Sequence, residues 1–314
     1  MGHQITKKST PRRGSLQYYP IRKSKRAFHP PRAHLDLEGG ELATFAGYKV
    51  GMRQAIYIDN DKDSPTFKTE LLSPVTIIEV PPLLVVAARF YKDSKSIGDV
   101  WAEVDKNVER RVKFKPNNAN FDDLLHKASD IRLVASTMPW KIDLKKTPEI
   151  FEIDLGGTLE QKAEKAKSLM GKEINVSDSI KEGTFVDVGA VTKGKGFTGS
   201  VKRFGVKIYP VHASKSRRKA GNLGAESMAK VQFTVPQHGR LGFNSRTEFN
   251  KLVLKILNEP NEANMPQGYY RYGNLNAPAI VLKGSVPGST SRLLMLRKAI
   301  RPNKKLGPTK VTLI

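Results

Sequence analysis

Val191–Gly205 reads VTKGKGFTGSVKRFG and lies inside Val188–Ala225, 38 residues that carry nine Lys or Arg and no acid. Such a stretch cannot bury a core, because a charge or a glycine recurs every few residues and no opposite charge is near. Its neutralising partner must come from outside the chain. A polyanion that the segment enters or wraps meets that need, and RNA fits best. The rest of the chain must then supply the folded body.

The charge distribution supports this reading. The 314 residues hold 54 Lys and Arg against 30 Asp and Glu, a formal net charge of +24, far beyond what solubility requires. The excess is not spread evenly. Residues 1–34, 188–225 and 263–314 each carry nine basic side chains and no acid, whereas residues 35–187 carry 22 basic and 26 acidic ones. One such run could be an ordinary solvated segment. Three of them predict a near-neutral body with three cationic appendages. The chain has no cysteine, which excludes disulfides, thiolate zinc sites and thiol catalysis and suits a reducing cytoplasm. Its longest apolar run, Leu83–Ala88, is too short to span a bilayer, and the first residues lack the apolar stretch of a signal peptide. No membrane association is expected.

Local patterns give a first set of elements. Pro11, Pro20, Pro30 and Pro31 forbid a continuous helix over the first forty residues and predict an extended arm. That arm and residues 193–229 are expected to order on RNA. Leu42–Ile58 reads as two strands around Gly47 and Gly51. VTIIEV (Val75–Val80) and LLVVAARFY (Leu83–Tyr91) read as strands separated by Pro81-Pro82, followed by a short helix over Phe121–Ala128 and strands at Ile131–Ser136 and Ile150–Asp154. Thr158 and Gln161 form a capping box ahead of LEQKAEKAKSLM, and Gly171 ends that helix. Phe185–Val191 and VQFTVP (Val231–Pro236) read as strands. Ser245 and Glu248 suggest a second capping box, with Phe249, Leu252, Val253, Ile256 and Leu257 at helical spacing. The C-terminal segment offers one strand, in APAIVLKGSVPG, and then loops and a tail.

No motif supports catalysis. Gly194, Gly196 and Gly199 satisfy GxGxxG, but a dinucleotide site needs a helix opening on the third glycine and an acid about 20 residues on. The sequence after Gly199 reads as β-branched, and the next acid is Glu226. Kinase signatures are absent downstream. The six histidines show no metal-ligand spacing, Asp122 and Asp123 fit the first turn of a helix, and no nucleophile elbow occurs. Neither a catalytic residue, a metal, a cofactor nor a small-molecule substrate is expected. The glycines suit close approach of backbone to a phosphodiester chain. Cations also alternate with aromatics: Arg12 and Arg13 with Tyr18 and Tyr19; Arg22, Lys23, Lys25 and Arg26 with Phe28; Lys202 and Arg203 with Phe204. That mixture suits unpaired RNA better than a DNA groove, which would call for a basic recognition helix. An RNA-modifying enzyme would need a catalytic group within residues 42–187, and none is found. A DNA-packing protein would show little preference for RNA.

PRRGSLQYYPIRKSKR, FVDVGAVTKGKGFTGSVKRFGVK, GNLG and KVQFTVPQHGRLGFNSRTEFNK resemble the family of protein three of the large ribosomal subunit, in its longer archaeal and eukaryotic form. The resemblance covers most of the chain and is loosest over residues 75–160. It implies a mixed β/α+β fold: a six-stranded translation-protein-type β-barrel with an inserted α/β domain and a long basic arm and loop. The implied divisions are an arm over 1–40, a barrel body from 41–74, 169–192 and 230–314 with a C-terminal tail, an inserted domain over 75–168, and an RNA-penetrating loop over 193–229. It implies a non-catalytic constituent of the cytoplasmic ribosome that binds large-subunit RNA, supports early assembly and places its loop near the peptidyl transferase centre. Protein fourteen and the eukaryotic-type protein twenty-four of the same subunit are the implied neighbours.

The expected RNA contacts are Arg12, Arg13, Arg22, Lys23, Lys25, Arg26, Lys193, Lys195, Gly196, Phe197, Lys202, Arg203, Phe204, His212, Lys215, Arg217, Arg218, Lys219, Lys230, Gln237, Arg240 and Arg246, with Asn222, Gly224 and Glu226 at the loop tip. Archaeal relatives usually carry Pro-Trp after the GNLG of this tip. Here Ala225-Glu226-Ser227-Met228 follows, so a carboxylate replaces the aromatic, and Arg240 and Asn244 stand where glutamine and histidine are common. Glu226 then needs a holder among phosphates: Lys219, Lys230, a cation or a base amino group.

Overall fold

The computed structural model describes residues 12–30, 35, 37, 39–103, 105–112, 120–212, 215–302 and 309–314; the first eleven residues of the expected arm, and 31–34, lie outside these. The strands are β1 (Thr44–Ile58), β2 (Glu70–Glu79), β3 (Leu83–Lys92), β4 (Lys95–Trp101), β5 (Asp130–Thr137), β6 (Ile150–Asp154), β7 (Glu173–Ile174), β8 (Phe185–Val191), β9 (Phe197–Thr198), β10 (Gly239–Arg240), β11 (Ser245–Leu257), β12 (Ala279–Lys283), β13 (Leu293–Lys298) and β14 (Val311–Leu313). The α-helices are α1 (Lys106–Glu109), α2 (Phe121–Leu125), α3 (Leu159–Leu169) and α4 (Ser200–Phe204). The chain is mostly β with few helices. It divides into two compact units, one drawn from Met1–Lys25 and Thr192–Asn244, the other from Arg26–Val191 and Ser245–Ile314.

The larger unit holds two antiparallel sheets. In the first the order is β13-β8-β11-β12-β2-β1-β14, and an added β13–β1 pairing closes six of the strands into a ring. All six strands feed one core cluster: Phe45, Ile78, Val188, Val253, Ile280 and Leu294 are fully buried in it. Residues of the opposite parity, Ile77, Leu254 and Val281, pack with Tyr269 and Leu275 in a second cluster. Burial on both faces explains why AIVL at 279–282 reads as a continuous apolar run. Gly47 permits the β1–β2 contact, because a Cβ there would come within 2.7 Å of Ile78 and Val80 side-chain atoms.

The second sheet runs β4-β3-β5-β6 with β7 on β3. Helix α3 packs on β5 and begins at the expected capping box, where Gln161 N–H donates to Thr158 Oγ1 at 3.5 Å and Thr158 N–H to Gln161 Oε1 at 3.2 Å. One face of this sheet is a lattice of ion pairs: Arg89 with Asp99 and Glu152, Arg132 with Asp130, Glu152 and Asp154, and Lys162 with Asp130.

Four expectations are corrected. Leu42–Ile58 does not hold a pair of strands: one 15-residue strand, β1, covers Thr44–Ile58, with a register shift between Lys49 and Gly51. The helix expected from Ser245 is β11. Ser245 and Glu248 pair across the ladder with Val191 and Val188, and a register shift between Glu248 and Lys251 resets the side-chain period. Asn250 sits at that bulge with φ +54°, its N–H donating to Asp187 Oδ1 at 3.0 Å, while Phe249, which a helix would bury, is 57% exposed. VQFTVP is a turn and loop, not a strand. The tail expected after β12 contains β13 and β14. The acid-free segment 263–314 is therefore no appendage: Arg297 lies buried against Asp187 at 2.9 Å, and Lys298 pairs with Glu41 at 2.5 Å. Its acids come from elsewhere in the chain.

Candidate nucleic-acid interface

The smaller unit gathers most of the expected RNA contacts. Its sequence carries eighteen Lys and Arg and a single acid, Glu226. Two short connections organise its base. Thr192 N–H donates to the Asn244 carbonyl at 2.9 Å, and Asn244 N–H to Thr192 Oγ1 at 3.1 Å. The buried Asn244 side chain donates to the Arg22 carbonyl at 3.1 Å, and Ser24 N–H to the Phe243 carbonyl at 3.0 Å. The Lys23 ammonium lies 5.6 Å from the centre of the Phe243 ring. Residues 22–24 are thus tied to residues 243–244, so that cations far apart in sequence share one surface.

From this base the glycine-rich stretch leads through β9, paired with β10, into α4. The sequence reading saw no helix after Gly199. A five-residue one is present, with Gly199 as its N-cap and Gly205, at φ +65°, ending it. Ser200–Phe204 is too short and too basic for a dinucleotide site, and the acid such a site needs is still missing. Gly196 has φ +66°, and an added Cβ at Gly196 or Gly199 would meet nothing within 4 Å, so the backbone there is open to an external chain.

Arg12, Arg13, Arg22, Lys23, Lys25, Lys193, Lys195, Lys202, Lys215, Arg217, Arg218, Lys219 and Lys230 are all exposed, as are Gly196, Phe197 and His212. None of these thirteen cations makes an ion pair among the described residues. The contrast with the second sheet, whose arginines are matched to carboxylates, is complete. Arg203, Phe204, Gln237 and Arg240 are half-buried. Arg203 serves the unit's own backbone: its Nε donates to the Arg240 carbonyl at 3.1 Å and its Nη1 to the Gln237 carbonyl at 3.0 Å. Arg240 donates to the Gly242 carbonyl. Arg217 Nε donates to the Tyr209 carbonyl at 3.1 Å, and Tyr209 N–H to the Arg217 carbonyl at 3.0 Å, tying these two residues together. Arg26 and Arg246 belong to the larger unit, where Arg26 stacks over Phe28 at 5.8 Å and Arg246 Nη1 donates to the Ser245 carbonyl.

At the tip, Gly224 N–H donates to Asn222 Oδ1 at 2.9 Å, and Glu226 is exposed. Neither Lys219 nor Lys230 pairs with it among the described residues, which leaves a cation or a base amino group as its possible holder. Sequence reading missed Phe233, 73% exposed beside Tyr19, and the exposed ring of His238 against Phe197. The signal was Pro236 closing a short apolar run next to Gly239, which marks a turn rather than a strand.

Comparison with known proteins agrees with the resemblance. The family model for Ribosomal protein L3 matches residues 1–312. The large ribosomal subunit protein uL3 of Nanoarchaeum equitans is 41% identical over 308 residues, covering 94% of this chain and 92% of that protein. Its counterpart in Archaeoglobus fulgidus is 40% identical over 307 residues, covering 94% and 93%. That of Methanocaldococcus jannaschii is 39% identical over 311 residues, with the same coverage. A family match over nearly the whole length, on a ring of six strands and a cation-rich unit, places this chain in the Ribosomal protein L3 family, a family of ribosomal proteins and not of enzymes.

Proposed function

We propose that this chain is a structural constituent of the large subunit of the cytoplasmic ribosome, which binds large-subunit ribosomal RNA, supports early subunit assembly and carries a basic loop toward the peptidyl transferase centre. One observation carries the reading: a unit with eighteen cations and one acid, whose exposed cations find no carboxylate among the described residues. Phosphates are the partner that such a surface neutralises, with release of their counterions. Exposed aromatics among the cations favour RNA with unpaired bases over duplex DNA.

In this reading the ring of six strands is a translation-protein-type barrel, the insertion expected over residues 75–168 holds the second sheet and begins after β2, whose residues 75–79 belong to the ring, and residues 1–40 and 193–229 are the arm and loop that meet RNA. The expected contacts from Arg12 to Arg246 are its RNA-binding set, and proteins fourteen and twenty-four of the subunit are its proposed neighbours. Sedimentation of cell lysate tests the proposal: the protein should comigrate with the large subunit and stay there in moderate salt. A pool found mainly at the top of the gradient, or one released by that salt, would overturn it.

A further inference from the structure

The smaller unit contains a cleft of about 700 Å³, within the ~300–1,000 Å³ range of ligand pockets. Tyr19, Ile21, Val231, Phe233, Gln237 and His238 contribute to its walls. The Val235 N–H donates to the Gln232 carbonyl at 3.2 Å, closing a turn that carries Phe233 near its tip. One edge of the Phe233 ring meets Tyr19, with centroids 5.5 Å apart and planes at 62°. The remainder of the ring is open, 73% of the residue being exposed. Across the cleft, the Gln237 side-chain amide has no hydrogen-bond partner among the described residues, although the adjoining backbone is held by Arg203.

We propose that this cleft takes one unpaired nucleobase of the RNA, stacked on Phe233 and read at its edge by the Gln237 amide. The inference rests on the RNA-binding reading above and adds a base-recognition site to it. Charge chooses the occupant. The unit has seventeen more cations than acids, so what approaches the cleft is a polyanion, and the part of a polyanion that suits an aromatic face is a base. Every base offers a π-face, and an amide can both donate to and accept from a base edge. A protein segment docking here would have to be strongly acidic, and it is the outcome that the second test below excludes.

The test uses the full chain and two labelled probes: a 12-nucleotide oligoadenylate, and an abasic ribose-phosphate chain of the same length. Phe233→Ala should weaken oligoadenylate binding roughly 5- to 150-fold, the range for loss of one base–aromatic stack, and leave the abasic probe unaffected. Phe233→Leu keeps apolar volume but lacks the π-face and should behave like the alanine variant, whereas Phe233→Trp should bind like the parent. Equal losses on both probes, or leucine binding as tightly as phenylalanine, would overturn the cleft while leaving phosphate binding intact. Failure of the parent chain to bind either probe at low salt would instead bring down the RNA-binding reading itself. In assembled subunits, a photo-crosslinking phenylalanine analogue at position 233 should attach to ribosomal RNA; attachment to a neighbouring protein would refute the proposal.

Discussion

Replacing Arg217, Arg218 and Lys219 together by alanine separates a phosphate-binding surface from an internal brace. All three side chains are exposed. Their internal commitments are small: one hydrogen bond from Arg217 Nε to the Tyr209 carbonyl, and a Lys219 ammonium 6.0 Å from the Tyr209 ring. The Arg218 carbonyl accepts from Ser200 Oγ at 3.4 Å, an interaction that alanine keeps. Each phosphate contact contributes roughly 0.7–0.9 to the slope of log affinity against log salt. Losing three should lower the slope by about 2.1–2.7. Between about 50 and 200 mM salt the parent should then lose roughly 20- to 40-fold more affinity than the variant does. Fluorescence titration with large-subunit RNA at four or five salt concentrations measures this directly. The thermal midpoint should barely move, since exposed substitutions of this kind stay within about 0.5 kcal/mol. An unchanged slope with a clearly lowered midpoint would show that the side chains hold the protein together, and the phosphate argument would fail.

Three further outcomes are expected. Glu79, 1% exposed, accepts hydrogen bonds from Tyr272 Oη, from Asn276 N–H at 2.6 Å and from Ala277 N–H at 2.8 Å; Glu79→Ala removes the acceptor of three donors, of which the Ala277 N–H is buried, and should destabilise the fold by about 3–5 kcal/mol, a drop in melting midpoint of roughly 6–20 °C by circular dichroism. Burial raises the Glu79 carboxyl above its ordinary 4.5, so the folded state holds the extra proton just above that pH, and this group's contribution to stability falls as pH rises through that window; Glu79→Gln should remove the fall, and an identical pH profile would refute the assignment. At the tip, Glu226→Trp should leave incorporation into the large subunit intact while changing chemical reactivity of nucleotides near the peptidyl transferase centre; failed incorporation, or unchanged reactivity, would contradict the placement of the loop.

What was legible in the sequence follows from where each signal resides. Helix α3 carries its own start and stop, and β6 and β8 match the sequence reading residue for residue, because β-branched and aromatic residues flanked by breakers need no distant partner to be recognised. Strand β13, LLMLRK, was missed because leucine and methionine are helix formers; it is a strand because β1 and β8 both present open edges, with Leu296 opposite Phe45 on one side and Val188 on the other. Strand β11 was misread because a bulge at Phe249–Lys251 turns an alternating pattern into a near-helical one. The candidate contacts were legible as types in the arm and loop, since a run of cations without acids is a local fact. The cleft was not, because Tyr19 and Phe233 are brought together by the fold alone.

Charge shows the limit of a linear reading most clearly. Residues 263–314 have the same acid-free composition as residues 188–225, yet Arg297 and Lys298 reach Asp187 and Glu41 through the closure of the ring. Closure is what decides the matter: a strand in a ring has neighbours on both sides, and those neighbours carry the missing acids. The smaller unit has no comparable source, because its one acidic side chain is Glu226, which pairs with no cation among the described residues. Cations gathered there repel one another, so in the proposed reading RNA would stabilise that unit as well as being its ligand. Arg203 fits this view. Its guanidinium is held by three carbonyl oxygens of residues 237–240, which neutral dipoles can do without removing a charge from the surface. The unit can therefore be braced from within and remain fully cationic toward its partner.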